Sequence, residues 1–320
     1  MKTKILLTTF VSSFIIHTSA FAQGALTPPG APAPTMKSLD QVEARTPLVA
    51  GQAGVSVAAD GAITITQPGS YYLTQNLTIT DTADGINVGS NSATIDLNGF
   101  IISGTVGHVP NVGIGIMGIT GQSVTIRNGH IVGGGTNAGF FYAIGIQQVI
   151  QGNILVENVH VRDVRHSGIR LTVGEARTIV RNCSVENAFG GYGIVADVVT
   201  GCTVRETKLD GIQAAIVSDC TVIQNWGTGD AIDTMSAAGI NGLVINSKGQ
   251  SYAGYGIRGQ NVSNSFGSST TGDTGIYAGG TANICTGECS GGTAINAHIA
   301  IGCTSTAGTI IAFQKFLGTP

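Results

Sequence analysis

The stretch from Ile179 to Val222 repeats one short phrase three times. It reads Val180-Arg181-Asn182-Cys183-Ser184-Val185, then Val199-Thr200-Gly201-Cys202-Thr203-Val204, then Val217-Ser218-Asp219-Cys220-Thr221-Val222. Successive cysteines are 19 and 18 residues apart. Each copy is followed by a small residue and Ile, at Gly193-Ile194, Gly211-Ile212 and Ala231-Ile232. A period near 20 residues with two short apolar segments per period is typical of stacked β repeats.

The aligned copies extend into apolar columns along most of the chain. One column follows the bend: Gly129, Val159, Cys183, Cys202, Cys220, Leu243, Ser265, Cys285 and Cys303. Two Val-rich columns flank it: Val156, Val180, Val199, Val217, Ile240 and Val262 before it, and Val161, Val185, Val204, Val222 and Ile245 after it. The Ile column is Ile169, Ile194, Ile212, Ile232, Ile257, Ile276, Ile295 and Ile311. Because strand side chains alternate between the two faces, we expect these columns to share one interior.

A tight bend separates the two Val columns. Asn98-Gly99 and Asn128-Gly129 follow strand-like segments, and Asn favours the positive φ that such a bend needs. Asn158, Asn182 and Asp219 are predicted to occupy the same place in later coils. The pattern predicts an all-β chain, a single-stranded parallel β-helix of roughly ten coils.

Composition narrows the class of protein. Charged residues make up only 10% of the chain and Gly contributes 48 residues, but no apolar segment after the N-terminus reaches the roughly 20 residues of a membrane span. The formal charge of −3 becomes −5 without Lys2 and Lys4, and no basic cluster is present. We therefore expect no nucleic-acid partner and no transmembrane segment in the mature protein.

Four regions are predicted along the chain. Residues 1–22 resemble a secretory signal peptide with an Ala20-Phe21-Ala22 cleavage site, and residues 23–35 form a Pro-rich linker. Residues 36–54 form an N-terminal cap, with a short helix over Met36–Ala44, and residues 55–320 form the β-helix domain. The leader predicts export, so we expect the protein to be secreted, periplasmic or on the cell surface.

The phrase V-x-N-C-x-V followed by G-I resembles the right-handed parallel β-helix repeat of the pectin-lyase-like superfamily. Pro34-Thr35-Met36-Lys37-Ser38-Leu39-Asp40, Pro68-Gly69-Ser70-Tyr71-Tyr72-Leu73 and Ile95-Asp96-Leu97-Asn98-Gly99 are similar to the start of secreted bacterial β-helix proteins. The resemblance covers about residues 36–320 and implies a right-handed coil. That superfamily includes lyases, glycoside hydrolases, adhesins and phage tailspikes. The Asn-Thr-Asp, Gly-His-Gly, Arg-Ile-Lys and Trp-Ile-Asp-His motifs of its pectin-degrading members do not occur in this sequence.

The six cysteines are predicted to be mainly buried and unpaired. Five of them share a column with Val159 and Leu243, so they read as small apolar residues, although pairing between neighbouring coils remains open in an oxidising compartment. Cys289 lies four residues after Cys285 and is expected at a corner or outside. No His flanks these positions, so metal binding by the cysteines is not expected.

Carboxylates cluster beside the Ile column. Asp210 and Asp230 lie two residues before Ile212 and Ile232, Asp233 and Arg258 follow an Ile directly, and Lys208 is on the same coil as Asp210. Close carboxylates can share Ca²⁺, or act as acid and nucleophile of a retaining glycosidase, with Arg or Lys as the base of a lyase. The alternative is a solvated outer stripe in which Asp tolerates a turn, and the exposed His160 and His166 carry the same ambiguity.

Two long corners suggest walls beside this face. They are Thr172–Arg177 and Ser247–Tyr255, and Tyr252, Tyr255 and Tyr192 are candidate sugar-binding residues. The first interpretation is a secreted protein that binds an extended polysaccharide, with no cofactor other than a possible Ca²⁺. A polysaccharide lyase or glycoside hydrolase is the alternative, and a structural rod or adhesin is the third.

Overall fold

The computed structural model describes residues 45–80, 83–104, 111–117, 121–135, 139–146, 152–171, 177–224, 226–235, 242–272 and 274–316. The predicted signal peptide, linker and helix at Met36–Ala44 lie outside these residues. The rest of the predicted cap, residues 45–54, holds a two-residue strand and turns rather than helix. None of the described residues forms a helix long and apolar enough to cross a membrane.

The described residues are built from 27 strands. The first half comprises β1 Thr46–Pro47, β2 Val55–Val57, β3 Ile63–Ile65, β4 Gly69–Tyr72, β5 Leu77–Ile79, β6 Ile86–Val88, β7 Ser92–Asp96, β8 Ile101–Gly104, β9 Val112–Ile116, β10 Gln122–Val132, β11 Tyr142–Ile146, β12 Gly152–Val164, β13 Ser167–Arg170 and β14 Arg177–Arg181. The second half comprises β15 Ser184–Ala188, β16 Ile194–Thr200, β17 Thr203–Thr207, β18 Ile212–Ser218, β19 Thr221–Ile223, β20 Ile232–Asp233, β21 Leu243–Ile245, β22 Lys248–Ser251, β23 Ile257–Ser263, β24 Phe266–Ser269, β25 Thr274–Asn283, β26 Thr286–Ile301 and β27 Thr304–Lys315.

Strand pairing follows the predicted coil. Ile194 pairs with Ile212 and Ile212 with Ile232, while Val199 pairs with Val217, all in parallel register. Three parallel sheets result: an Ile sheet, a first Val sheet through Val199, and a second Val sheet through Val204. Within the described part, antiparallel pairing is found between β2 and β3. The fold is therefore a parallel β-helix, as predicted.

The inner columns form one continuous core. Ile169 to Ile295 of the Ile column, and the Val residues at 156, 180, 199 and 217, are completely buried. The small residue before each Ile has a steric cause. A Cβ added at Gly211 would lie 2.2 Å from Val222 Cγ1 and 2.7 Å from the Ala231 carbonyl oxygen. Gly at this position therefore lets the Ile sheet approach the second Val sheet.

The bend column is confirmed by its backbone. Positive φ values occur at Asn98, Asn128, Asn158, Asn182, Gly201, Asp219, Asn246, Asn264, Ile284 and Gly302. Neighbouring bends are joined by side chains, as where the Asn158 amide donates to Asn128 Oδ1 at 3.3 Å. Ten such bends agree with the predicted number of coils.

One coil was aligned wrongly from the sequence. The bend lies at Asn246, not at Gly242, so Ser247 takes the place predicted for Leu243. Ile245 pairs with Ser218, and Gly249 pairs with Val222 in the second Val sheet. The error arose because Leu243 and Ile245 carry apolar alternation like that of a Val strand, although β21 belongs to the first Val sheet. At the C-terminal end, Ile310 rather than Ile311 pairs with Ile295.

Candidate functional site

The predicted carboxylates form a ladder between coils. The Asp230 backbone N–H donates to Asp210 Oδ1 at 2.9 Å, and the Tyr255 backbone N–H donates to Asp230 Oδ1 at 2.8 Å. Two coils before Asp210, Ser167 does the same, because its Oγ accepts the Tyr192 N–H at 3.1 Å. At Ser167, Asp210 and Asp230, the side chain two residues before the Ile thus satisfies an N–H group of the following coil.

Arg258 closes this cluster. Its Nη1 lies 3.6 Å from Asp233 Oδ2 and 3.9 Å from Asp230 Oδ2, and its guanidinium is 5.8 Å from the Tyr255 ring centre. Asp210, Asp230, Asp233 and Arg258 are therefore brought together as expected. Lys208 is exposed, and no ion pair joins it to a carboxylate of the described residues.

The expected solvated stripe is wrong for this cluster. Asp233 is only 1% exposed, and the Asp230 side chain 13%. Burial raises the pKa of Asp210 to about 7 and that of Asp230 to about 6, and the backbone N–H bonds oppose this rise. These two carboxylic acids therefore change charge near neutral pH, as a general acid must.

The donor set does not fit calcium. Ca²⁺ takes six to eight oxygen ligands, whereas one oxygen of Asp210 and one of Asp230 already accept N–H groups. Arg258 also supplies a positive charge beside Asp230. In the part of the chain that the structure describes, no group of three or more His, Cys, Asp or Glu residues is arranged to hold a metal ion.

Two Tyr–Arg pairs lie along the Ile sheet. In the first pair, Arg170 Nη1 donates to the Tyr142 hydroxyl at 2.7 Å, and its guanidinium lies 5.5 Å from the ring centre. In the second, Arg258 faces Tyr255, whose ring is 5.7 Å from that of Tyr277. Tyr142 was missed from the sequence. It lies two residues before Ile144, so extending the Ile column one coil backward finds it.

The family assignment rests on the length of the match. The family model described as right-handed β-helix region matches residues 53–240, more than half of the chain. The chain belongs to the right-handed β-helix family. No curated protein matches the sequence. Among solved structures, the enzymatically active domain of tailspike protein 2 from bacteriophage CBA120 is similar over 78% of this chain, with 15% identity and a TM-score of 0.31.

The tailspike comparison has a narrow meaning. This β-helix spans 37% of that chain, and a TM-score this low carries no argument about activity. Family membership establishes the right-handed coil, and its chemistry must be argued from the sites.

The predicted walls beside the Ile sheet of this β-helix are only partly described. Residues 172–176 lie outside the described residues. The prediction of a loop over Ser247–Tyr255 is wrong, because Lys248–Ser251 forms strand β22, which pairs with β19. Tyr252 follows this strand and is 43% exposed, whereas Tyr192 and Tyr255 are half-buried.

The two histidines singled out from the sequence have different surroundings in the β-helix. His166 stacks on Phe141 at 4.5 Å, and its Nδ1 is 2.8 Å from Ser167 Oγ. Burial lowers the pKa of His166, with Arg170 and Arg165 adding to the effect. His160 lies on the second Val sheet and stacks on His130 at 5.1 Å.

Proposed function

We propose that this β-helix binds an extended polysaccharide along the outside of its Ile sheet. The observation that carries the proposal is the recurrence of a Tyr–Arg pair on one sheet, at Tyr142 with Arg170 and at Tyr255 with Arg258. Register partners step from Arg170 through Val195, Gln213 and Asp233 to Arg258. Four coil steps of about 4.8 Å separate the two arginines by roughly 19 Å.

Each pair offers two kinds of contact. A Tyr ring supplies a large rigid apolar surface with few rotatable bonds, which suits the C–H face of a sugar ring. A guanidinium supplies several N–H donors for hydroxyl or carboxylate oxygens. A polymer that follows the coil axis meets both pairs at once, and the second contact then gains from the effective concentration set by the first.

The binding test uses one variant in each pair. We expect Arg170→Ala and Tyr255→Ala each to weaken binding about tenfold, a loss of 1.4 kcal/mol. The Tyr255 change keeps the backbone N–H bond to Asp230. Arg181→Ala on the first Val sheet is the control, because Arg181 is exposed, as Arg170 is, but bonded to Glu157. Affinity electrophoresis against a polysaccharide panel measures the effect.

The outcomes separate the candidate functions. Loss in both site variants with an unchanged control supports the proposal. Unchanged affinity in both site variants places binding elsewhere on the molecule. If the wild type binds no polysaccharide of the panel, a structural rod or adhesin is the better description.

Cleavage of the polymer is the second candidate, favoured by the pKa of Asp210 near 7. Asp210 and Asp230 lie on adjacent coils, so their carboxyls are separated by roughly the 5 Å of a retaining glycosidase. Assays for new reducing ends and for unsaturated products, with and without Ca²⁺, test hydrolysis and elimination. Activity that survives Asp210→Asn excludes Asp210 as the acid.

Export belongs to the same proposal, because the binding is proposed to take place at the cell surface or in the matrix. We expect removal of residues 1–22, which leaves Gln23 as the first residue of the mature chain. Intact-mass measurement of protein recovered from the medium or periplasm checks this. A mass that still includes Met1 to Ala22 contradicts it.

A further inference from the structure

A second polar site lies on a different surface, the outside of the second Val sheet. A groove of about 250 Å³ crosses four coils there, formed by β10, β12, β15 and β17. Its lining is His130, Val132, His160, Val161, Arg162, Ser184, Val185, Glu186, Thr203 and Arg205. None of these residues takes part in the carboxylate cluster or the Tyr–Arg pairs.

Two imidazoles stand side by side at one end of the groove. The rings of His130 and His160 are 5.1 Å apart and inclined by 22°, and both residues are exposed. His160 Nδ1 is 2.7 Å from Ser184 Oγ. Burial lowers the pKa of His130, and the neighbouring His160 and Arg162 add to this. An anion bound at the edges of the two rings would offset the repulsion that opposes protonation of His130.

The other charges around the groove nearly cancel. Arg162 is paired with Asp163 at 2.7 Å, and Glu186 lies in register between Arg162 and Arg205. Glu206 follows Arg205 at the turn. On the near side, β8 places Ile101 and Ser103 beside β10 and adds no charge. The protonation of the two histidines therefore decides whether this end of the groove is cationic.

We propose that the end of the groove at His130, His160 and Ser184 binds an oxyanion, namely a carboxylate, sulfate or phosphate group, and takes up protons as it does so. Protonated His160 donates its Nδ1–H to Ser184 Oγ, and the Ser184 hydroxyl is then free to donate to the anion. When neutral His160 instead carries its proton on Nε2, the Ser184 hydroxyl donates to Nδ1. Both imidazoliums and the hydroxyl thus become donors together, which is the arrangement that favours an anion.

The proposal predicts the sign of a pH dependence. Proton uptake on binding makes the affinity rise as the pH falls, by about tenfold per pH unit for each proton taken up. Titration calorimetry at constant ionic strength, between about pH 5 and pH 7.5, measures this for inorganic sulfate, dextran sulfate and uncharged dextran, because sulfate groups keep their charge over this range. We expect tighter binding of the anionic probes at low pH and no pH effect for dextran.

Variants locate the effect in the groove. The double variant His130→Gln/His160→Gln should lose the pH dependence and at least tenfold of the affinity at about pH 5. His298→Gln is the matched control, because His298 is also exposed and stacked on an aromatic ring, that of Phe313. Both changes replace an exposed side chain, so the fold should persist, and circular dichroism verifies it.

The probes also distinguish two sources of the anion. Binding of inorganic sulfate identifies a free oxyanion, whereas binding of dextran sulfate without inorganic sulfate identifies a substituent on a polymer. The proposal is overturned if neither probe binds, if affinity rises with pH, or if the double variant keeps the wild-type pH dependence. Each outcome is independent of the Arg170 and Tyr255 variants.

Discussion

At the scale of the residue, the bend between the two Val sheets depends on one backbone conformation. Asn, Asp and Gly occupy it in nine of the ten coils, because they tolerate positive φ at low cost. Ile284 is the exception, with φ of 51° and a side chain that is 61% exposed. A β-branched residue in this conformation is strained, and exposure means that its side chain contributes little packing in return.

We therefore expect Ile284→Asn to raise the free energy of unfolding by about 1 kcal/mol. Ile301→Asn is the control, since Ile301 is exposed in strand β26 with ordinary φ and should not gain from Asn. Chemical denaturation measures both. Equal effects of the two changes would show that backbone strain at the bend is not the cause.

The residue after the bend does more than fill space. The Cys183 N–H donates to Cys202 Sγ at 3.4 Å, and the Cys202 thiol donates to the Thr200 carbonyl at 3.3 Å. Ser247 occupies the same position in a later coil and makes the same two bonds. Its Oγ accepts the Cys220 N–H and donates to the Ile245 carbonyl. All six cysteines are buried thiols that form no disulfide, as predicted for five of them, but this column supplies hydrogen bonds as well as filling space.

Substitution at Cys202 separates these two roles. Cys202→Ser should be tolerated better than Cys202→Val, by about 1 kcal/mol or more, because Val leaves the Cys183 N–H without its acceptor. If size and apolarity alone mattered, Val would be the better replacement, because Val159 occupies the equivalent position in an earlier coil. The free energies of unfolding of the two variants decide between these outcomes.

Cys289 corrects the prediction of a corner or exposed position. It is 1% exposed and pairs in register with Ser269. Its thiol donates to the Gly272 carbonyl at 3.4 Å, as Ser269 Oγ donates to the Gly254 carbonyl one coil earlier. Ser269 and Cys289 therefore belong to a second column of inward side chains, which the sequence pattern had not revealed. The side chains of this column donate hydrogen bonds to carbonyl groups at the corner that follows the second Val sheet.

At the scale of the element, the Asp ladder joins the starts of successive Ile strands and makes stability depend on pH. The pKa of Asp210 is raised from 3.8 to about 7 in the folded chain. The folded state thus binds a proton that the unfolded state has released between these values, so this stabilisation is complete below about pH 4 and is lost as the pH rises through about 7.

Asp210→Asn tests this linkage. Asn keeps an oxygen for the Asp230 N–H but carries no charge to bury. Relative to wild type, the variant should be similar near pH 4 and more stable by about 2–4 kcal/mol near pH 7. Asp219→Asn, at an exposed bend position, should follow the wild-type profile. A variant that tracks wild type at both pH values would contradict the raised pKa.

At the scale of the whole described solenoid, each coil contacts its two neighbours and little else, so stability is nearly a sum of coil and interface contributions. Gly201 and Asp219 occupy equivalent bends, and Val204 pairs with Val222 across the same step. Removing residues 202–219 therefore removes one complete coil and leaves every strand with a partner of the same kind.

We expect the deletion of residues 202–219 to give a folded, cooperatively unfolding protein of lower stability. A deletion of residues 202–210 removes only part of a coil and puts strands of different sheets in register, so it should fail to fold. Circular dichroism and urea denaturation compare the two. Folding of the shorter deletion, or failure of the coil deletion, would show that the coil is not the unit of stability.

Features that repeat regularly along the chain could be predicted from the sequence, whereas features that depend on strand pairing could not. The Ile and first Val columns, the bend at Asn158, Asn182 and Asp219, and the parallel stacking were predicted because each repeats at a short, regular spacing. The coil around Asn246 was misaligned because the apolar alternation of Leu243 and Ile245 was assigned to the second Val sheet. The pairing of β21 with β18, and of β22 with β19, shows that this segment belongs to the first Val sheet.

The sequence by itself determined the coil, since alternation and positive-φ bends are local properties of the chain. The sequence also placed Asp210, Asp230, Asp233 and Arg258 together, but only the tertiary structure decided how far the site residues are buried and which residues outside that cluster meet. Asp233 is buried by the coils on either side of it. The contact of Tyr142 with Arg170 and the stacking of His130 on His160 each join residues one coil apart. Exposure and electrostatics arise from the packing of neighbouring coils, so no pattern within one repeat contains them.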